Sequence, residues 1–207
     1  MGQVVALDSL LHARQVWHGR ATPAPDSSQP TGWPDLDAIL PAGGWPEHAL
    51  TEILLPADGV GELQLLLPTL ARLTRAARSV VVIAPPYLPC VAGWEARGVA
   101  MAQVDIVQAG ERDVLWAAEQ CLRSGSCAAV LAWPVQADDR ALRRLQVAAD
   151  TGKALAFVFR DRRHAVQASP AALRLELEST PGWQVRVRKC RGGNPPVGAV
   201  PLASGWS

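Results

Sequence analysis

Two periods of apolar and polar positions divide the chain into regions of different predicted structure. Between Thr31 and residue 160, short apolar runs alternate with longer segments that have helical apolar spacing. Strands and helices that alternate in this way indicate right-handed crossovers and a mostly parallel sheet flanked by helices. The predicted strands are 50–55, 79–84, 103–107, 128–133 and 155–160, and the predicted helices lie near 62–77, 88–97, 111–124 and 138–150.

The period changes near the C-terminus. Residues 173–178 and 183–188 alternate strictly between apolar and polar side chains, and Pro181-Gly182 lies between them. Strict alternation on both sides of a turn predicts an antiparallel hairpin with one solvent-facing side. The predicted fold class is therefore α/β, with a mostly parallel sheet, flanking helices and a C-terminal antiparallel hairpin.

The two ends of the chain differ in composition from the α/β region. Residues 19–30 are rich in Pro, Ser, Thr and Ala, which is typical of a flexible linker, and the Gly/Pro-rich residues 192–207 predict a flexible tail. A short amphipathic helix is predicted before the linker, and it can dock on a partner or on its own domain. Its candidate partner-binding residues are Leu10, Leu11 and Trp17. The expected organisation is a helix and linker over 1–30, a domain over 31–191 and a tail over 192–207.

Composition excludes several classes of protein. The 207 residues are 49% apolar with a mean hydropathy of +0.08, so a sizeable core is available and wholesale disorder is excluded. No apolar run is long enough for a membrane span, and the first residues lack a signal-peptide pattern, so we expect a cytoplasmic protein. The four cysteines and four histidines lack the spacing of metal ligands, and no nucleophile is framed for a hydrolase triad. We therefore predict no catalytic residues, metal or cofactor.

Charge is distributed unevenly behind a formal net charge of +1. Residues 1–139 contain 8 basic and 15 acidic side chains, whereas residues 140–191 contain 12 basic and 4 acidic ones. This asymmetry is compatible with DNA or an acidic partner, and equally with a solvated basic helix and strand. The two lysines, Lys153 and Lys189, are the candidates for any mechanism that requires a lysine.

The segment after the first predicted strand has the outline of a phosphate-binding loop. Such a loop ends in Gly-Lys-Ser/Thr, where the lysine contacts phosphate and the hydroxyl holds magnesium. Here the corresponding residues are Gly61-Glu62-Leu63. Two like charges about 4 Å apart repel by roughly 4 kcal/mol at an effective dielectric constant of 20, so Glu62 opposes phosphate binding. The residues of this degenerate loop are Pro56, Gly59, Gly61, Glu62 and Leu63.

The acidic residue that would organise magnesium is missing as well. In ATPases of this type it ends a buried strand. The candidate strand, 128–133, ends in Trp133-Pro134. We therefore predict no ATP hydrolysis, although an ordinary turn in an α/β core would explain both absences equally well.

Residues 31–53 resemble the lead-in of bacterial RecA. The runs Thr31-Gly32-Trp33-Pro34-Asp35-Leu36-Asp37 and Gly43-Gly44-Trp45-Pro46 are similar to those that precede the phosphate-loop strand of RecA. Residues 122–125 look like the helix and turn ahead of its acidic strand, and residues 169–175 look like the segment after its second DNA-binding loop. The resemblance implies a RecA-like, P-loop-type core over roughly residues 31–190.

The departures from RecA carry a more specific resemblance. Gly61-Glu62-Leu63, Arg123-Ser124-Gly125 and Trp133-Pro134 together resemble the ImuA family, degenerate RecA-like proteins linked to SOS-induced translesion DNA synthesis. The cell-division inhibitor SulA is a more distant relative of the same type. The ImuA resemblance implies a non-catalytic, nucleoid-associated adaptor. Its expected partners are RecA, an ImuB-type inactive Y-family polymerase homologue and a DnaE-type error-prone polymerase, with self-association as a further possibility and no membrane contact.

Two other functions stay open at this point. One is a SulA-like inhibitor of cell division that binds the bacterial tubulin homologue. The other is a RecA-like ATP-binding protein with weak ATPase activity, in which a residue such as Lys153 substitutes for the missing lysine.

The basic segment also raises the possibility of weak, sequence-independent and salt-sensitive DNA binding. A basic cluster follows the strand 155–160, where the second DNA loop of RecA would begin, and further basic residues lie on the predicted hairpin. A basic surface that contacts an acidic partner explains the same residues. The candidate contacts are Arg160, Arg162, Arg163, Arg186, Arg188, Lys189 and Arg191.

Overall fold

The computed structural model describes residues 27–179 and 182–202. The helices in these ranges are α1 (Pro34–Ile39), α2 (Glu62–Arg75), α3 (Val91–Ala96), α4 (Val114–Arg123) and α5 (Asp139–Gly152), with short 3-10 helices η1 (Met101–Gln103) and η2 (Arg162–Val166). The strands are β1 (Leu50–Leu55), β2 (Val80–Ile83), β3 (Val104–Val107), β4 (Ala129–Ala132), β5 (Leu155–Asp161), β6 (Leu173–Glu178), β7 (Gln184–Cys190) and β8 (Ala199–Pro201). None of these helices is both long and apolar enough to cross a membrane.

One sheet contains all eight of these strands, in the order β3-β2-β4-β5-β1-β6-β7-β8. The pairs from β3 to β6 are parallel, whereas β6 with β7 and β7 with β8 are antiparallel. The prediction of a mostly parallel sheet with a C-terminal antiparallel hairpin is thereby confirmed. Strand β1 lies between β5 and β6, so the loop that follows it emerges in the middle of the sheet.

Helices cover both faces of the parallel region because most side chains of its inner strands are apolar on both sides. One core joins α1, α2 and α3 to the sheet, and the other joins α4 and α5 to the opposite face. In β5, Phe157 and Phe159 point into the first core, whereas Ala156 and Val158 point into the second. The side chains of β5 thus link the two layers of helices through the sheet.

The C-terminal region is more ordered than the sequence suggests. Residues 199–201 form β8 on the outer side of β7, and the backbone N–H of Leu202 donates to the Trp183 carbonyl at 3.0 Å. These residues are therefore part of the sheet instead of the flexible tail predicted for 192–207. Pairing with β8 satisfies backbone groups that would otherwise be unpaired along β7.

The N-terminal linker also differs from expectation where it is described. The Ser27 N–H donates to the Ala42 carbonyl at 2.6 Å, and the Gln29 carbonyl accepts from the Trp45 N–H at 2.8 Å. Residues 27–30 are thus held against the turn after α1. The predicted helix at 8–17, with Leu10, Leu11 and Trp17, lies outside the described residues.

The hairpin departs from the expectation of one solvent-facing side. Val185 and Val187 of β7 enter the first core as predicted, but β6 is buried on both faces. Arg174 and Glu176, on the side expected to face solvent, are buried because η2 packs near one and Arg188 pairs with the other. The alternation predicted the strands correctly, but not that polar side chains would be covered.

A buried ionic cluster lies at the centre of the sheet. The Glu52 carboxylate on β1 is inaccessible to solvent and accepts from Arg160 Nη1 on β5 and from Arg174 Nε on β6, both at 2.6 Å. Arg160 donates onward to the Ala137 carbonyl at 2.7 Å. Arg174 donates to the carbonyls of residues 164, 165 and 167. The cluster, defined as Glu52, Arg160 and Arg174, therefore connects three strands to two loops.

We predict that Glu52→Gln lowers the free energy of unfolding by about 3–5 kcal/mol, because it leaves two arginines buried without a counter-charge. Urea denaturation of the full chain measures the change. Arg143→Gln is the matched control, since Arg143 pairs with Asp139 at the surface, and such a pair is worth about 0–1 kcal/mol. Equal stability of the two variants would contradict the central role of Glu52.

Candidate functional site

The candidate site lies where the parallel strands end. Loops after β1, β4 and β5 surround a cavity of about 330 Å³, and the loop after β2 closes one side of it. In open α/β sheets, ligands bind in the crevice beyond the carboxyl ends of the strands. The floor is apolar and includes Leu55, Trp133 and Phe159, whereas Asp58 and Arg163 lie among the surrounding polar residues.

The loop after β1, which the sequence predicts to be a degenerate phosphate loop, closes on its own acidic side chain. Glu62, the first residue of α2, is only 3% exposed, and its Oε1 accepts from the backbone N–H of Gly59 at 3.0 Å. Gly59 and Gly61 have φ angles of +79° and +102°, in the region that favours glycine. A carboxylate at the first turn of a helix is also favoured by the helix dipole. The loop therefore binds an internal anion through Gly59 N–H, a group of the kind that a phosphate would use.

Trp183 covers this loop, a contact that the sequence did not predict. A side chain at Gly61 would place its Cβ 2.9 Å from Trp183 Nε1, so the glycine allows the indole to pack directly on the backbone. Trp183 also packs edge-on against Trp33, with ring centroids 5.2 Å apart. Both Trp183 Nε1 and Glu62 Oε2 are buried without a hydrogen-bond partner among the described residues. The hairpin thus covers Gly61 and the start of α2, whereas residues 57–59 of the loop stay exposed.

Trp133 directly follows β4, at the position where an ATPase of this type would have its magnesium-binding acid. Its indole stacks on Phe159 with centroids 4.1 Å apart and planes at 14°, and the side chain is only 8% exposed. Its Nε1–H is buried with no acceptor in the described part of the chain. The stack fills this end of the cavity with aromatic surface.

The cavity continues on both sides along the same edge of the sheet. A second cavity of about 240 Å³ shares Pro86 with it and is bordered by the loop after β2. A third, more open one of about 670 Å³ shares Val135 and Arg163. We call the three together the edge groove. Exposed apolar side chains belong to its lining, among them Tyr87, Leu88 and Val135.

The residues predicted to contact DNA do not form one basic surface. Arg160 lies in the interior, where it is bound to Glu52, and not on the surface predicted for it. The sequence did not indicate this pairing because Glu52 is 108 positions away. Arg186 and Arg188 are paired with Glu178 and Glu176, which offset their charges. Burial lowers the pKa of Lys189, whose Nζ donates to the Ser169 carbonyl at 2.7 Å.

Three of the predicted basic residues are exposed and have no ion pair shorter than 3.8 Å within the described residues. Arg162 and Arg163 are exposed on η2, and Arg163 makes only a 3.8 Å contact with Asp161. Arg191 is exposed at the other end of the hairpin region. The structure thus brings Arg163 to the edge groove and separates it from the paired arginines of β7.

The central part of the chain matches a known family. A family model described as cell division inhibitor SulA matches residues 49–156, slightly more than half of the chain. The chain belongs to the SulA family. The match begins just before β1, includes the loop with Glu62 and the end of β4 with Trp133, and stops within β5. The match supports the resemblance to SulA, and it does not show the more specific assignment to the ImuA family.

A solved structure is similar to about half of the chain. The crystal structure of SulA from Pseudomonas aeruginosa is 26% identical, with a TM-score of 0.46. The similarity covers 53% of this chain and 96% of that one. No curated protein sequence matches this SulA-family chain.

We predict that Trp133→Phe leaves the free energy of unfolding within about 1 kcal/mol of the original value or raises it, because it removes a buried donor that has no acceptor among residues 27–179 and 182–202. Trp45→Phe is the matched control. Trp45 also packs on a phenylalanine of β5, Phe157, but its Nε1 donates to Thr69 Oγ1 at 2.7 Å. That variant loses a satisfied bond and should cost about 1–3 kcal/mol. Urea denaturation compares the stabilities of the two variants. A greater loss of stability for Trp133→Phe than for Trp45→Phe would contradict the view that Trp133 Nε1 has no hydrogen-bond partner within the described ranges.

Proposed function

We propose that this chain is a non-catalytic protein of the SOS response that acts through protein–protein contacts, as a SulA-like inhibitor of cell division. The observation that carries the proposal is the family match over residues 49–156, whose description names that activity. The partner would be the bacterial tubulin homologue. The edge groove, with its exposed apolar residues, is the surface on which we place the contact.

The geometry of the loop supports a non-catalytic role. Glu62 already accepts the N–H of Gly59, so a phosphate would have to displace a buried carboxylate. Leu63 offers no hydroxyl to magnesium, and Trp133 ends the strand at which an acid would be needed. A surface that binds another protein requires none of these groups.

An adaptor in translesion DNA synthesis is the second candidate. A specific observation favours it: β6, β7 and β8 extend the sheet beyond the family-matched segment. The residues that resemble RecA also include positions outside that segment, at 31–46 and 169–175. In this case the partners would be RecA, an ImuB-type polymerase homologue and a DnaE-type polymerase. Exposed Arg162 and Arg163 would then contribute to weak, salt-sensitive DNA binding.

A comparison of binding partners separates the two functions. We expect the purified full chain to reduce the sedimentable polymer formed by the tubulin homologue with GTP, at near-equal concentrations of the two proteins. RecA and the two polymerase proteins, immobilised in parallel, should retain no more chain than a blank surface. Retention by RecA or by a polymerase without any effect on polymer would exclude division inhibition and favour the adaptor.

We also predict that the chain does not bind ATP in the presence of magnesium, measured by equilibrium binding up to millimolar nucleotide. Glu62→Gln tests the cause, since the amide keeps an acceptor for Gly59 N–H while removing the charge. We expect no binding by this variant either, because Leu63 and Trp133 remain. Micromolar affinity in the original chain would revive the ATPase alternative.

A further inference from the structure

The edge groove is a track of three neighbouring cavities that share lining residues. Its middle cavity, about 330 Å³, is at the small end of the range for ligand pockets. The flanking cavities share Pro86 on one side and Val135 with Arg163 on the other. A compact molecule would fill the centre alone. An extended chain would use the whole track.

The apolar surface of the groove lies both inside and beside the track. Trp133 and Phe159 form the stacked floor of the centre. Tyr87 and Leu88, 66% and 71% exposed, border one flank, and Val135, 55% exposed, stands between the centre and the other flank. Exposed apolar side chains along a groove favour an occupant that covers them on binding.

Charges of opposite sign lie on different loops around the centre. Asp58, on the loop after β1, is exposed and has no ion-pair partner within residues 27–179 and 182–202. Arg163, on η2, is 72% exposed at its side chain, and its contact with Asp161 is long at 3.8 Å. A complementary occupant would present a basic group to Asp58 and an acidic group to Arg163.

The groove is preformed, because the buried cluster fixes two of the loops beside it. Arg160 donates to the Ala137 carbonyl after β4, and Arg174 donates to the carbonyls of residues 164, 165 and 167. Loops that are already ordered lose less conformational freedom when a ligand binds. A short segment can therefore bind there without a costly rearrangement.

We propose that the edge groove binds an extended segment of a partner protein, with one large apolar side chain in the central cavity. A basic residue of that segment faces Asp58 and an acidic residue faces Arg163. This inference rests on the proposed function, since it assumes that the chain acts through protein contacts. The proposed function names a partner protein, and this inference adds the kind of segment of that partner that the groove binds.

Selection from a phage-displayed library of random dodecapeptides on the immobilised full chain tests the proposal. We expect the recovered peptides to share a large apolar residue between a basic and an acidic one. Their affinity should fall at least tenfold with Val135→Asp and with Arg163→Glu. Peptides in which the acidic residue is replaced by lysine should recover binding to Arg163→Glu.

Two variants on another surface are the controls. Val147 and Arg143 lie on the exposed side of α5, and Val147 is 51% exposed, close to the value for Val135. Val147→Asp and Arg143→Glu should bind the peptides as the original chain does. A failure to recover peptides, or peptides equally sensitive to both pairs of variants, would overturn the proposal.

Further measurements distinguish this inference from the proposed function. One outcome is that the Val135→Asp variant no longer binds the selected peptides but still reduces the polymer of the tubulin homologue. The groove is then not the contact used in division inhibition, and inhibition of division itself stands. If sedimentation shows self-association that Val135→Asp abolishes, the occupant is a second copy of the chain and the inference is wrong. Full loss of the effect on polymer with Val135→Asp, but not with Val147→Asp, supports both.

Discussion

A single buried carboxylate links the core of this protein to its candidate site. Glu52 lies on the central strand, and its counter-charges come from the two strands that flank it, through Arg160 on β5 and Arg174 on β6. An arginine remains charged inside a protein, so each of these side chains must find acceptors where it is buried. Both find them in loops at the carboxyl edge of the sheet. The placement of these loops therefore depends on the ion pairs of Glu52 within the sheet.

At the same edge, Glu62 and Trp133 stand at the positions where a phosphate-binding loop and its magnesium site would have a lysine and an acid. Glu62 supplies the anion that Gly59 N–H binds, and Trp133 supplies aromatic surface at the end of β4. Neither replacement is complete, since Glu62 Oε2 and Trp133 Nε1 lack partners among the described residues. A buried polar group without a partner costs about 1–3 kcal/mol. The stability of the loop therefore comes from packing, including that of Trp183 on Gly61, more than from its hydrogen bonds.

Local patterns predicted the elements of the fold but not the interactions that join them. The five parallel strands proposed from apolar runs and the hairpin proposed from alternation are present, with boundaries shifted by at most a few residues. The destination of Arg160 was not predictable, because Arg160 is followed by charged residues while its partner Glu52 lies 108 positions away. Strand β8 was missed because three residues ending in proline carry little strand signal, and pairing with β7 determines their structure. The packing of Trp183 on Gly61 likewise depends on contacts between distant segments.

The ionic cluster crosses the boundary of the family-matched segment. Glu52 lies inside the matched segment, 49–156, whereas Arg160 and Arg174 both lie beyond it. A carboxylate with no solvent exposure is strongly destabilising when its counter-charges are removed. In this chain the shared segment therefore depends on β5 and β6 for its own stability. Strands β6 and β7, which lie beyond the match, are part of the core and not an added module. The edge groove combines loops from both sides of the boundary. A partner that binds across the central cavity contacts the family segment and the extension together.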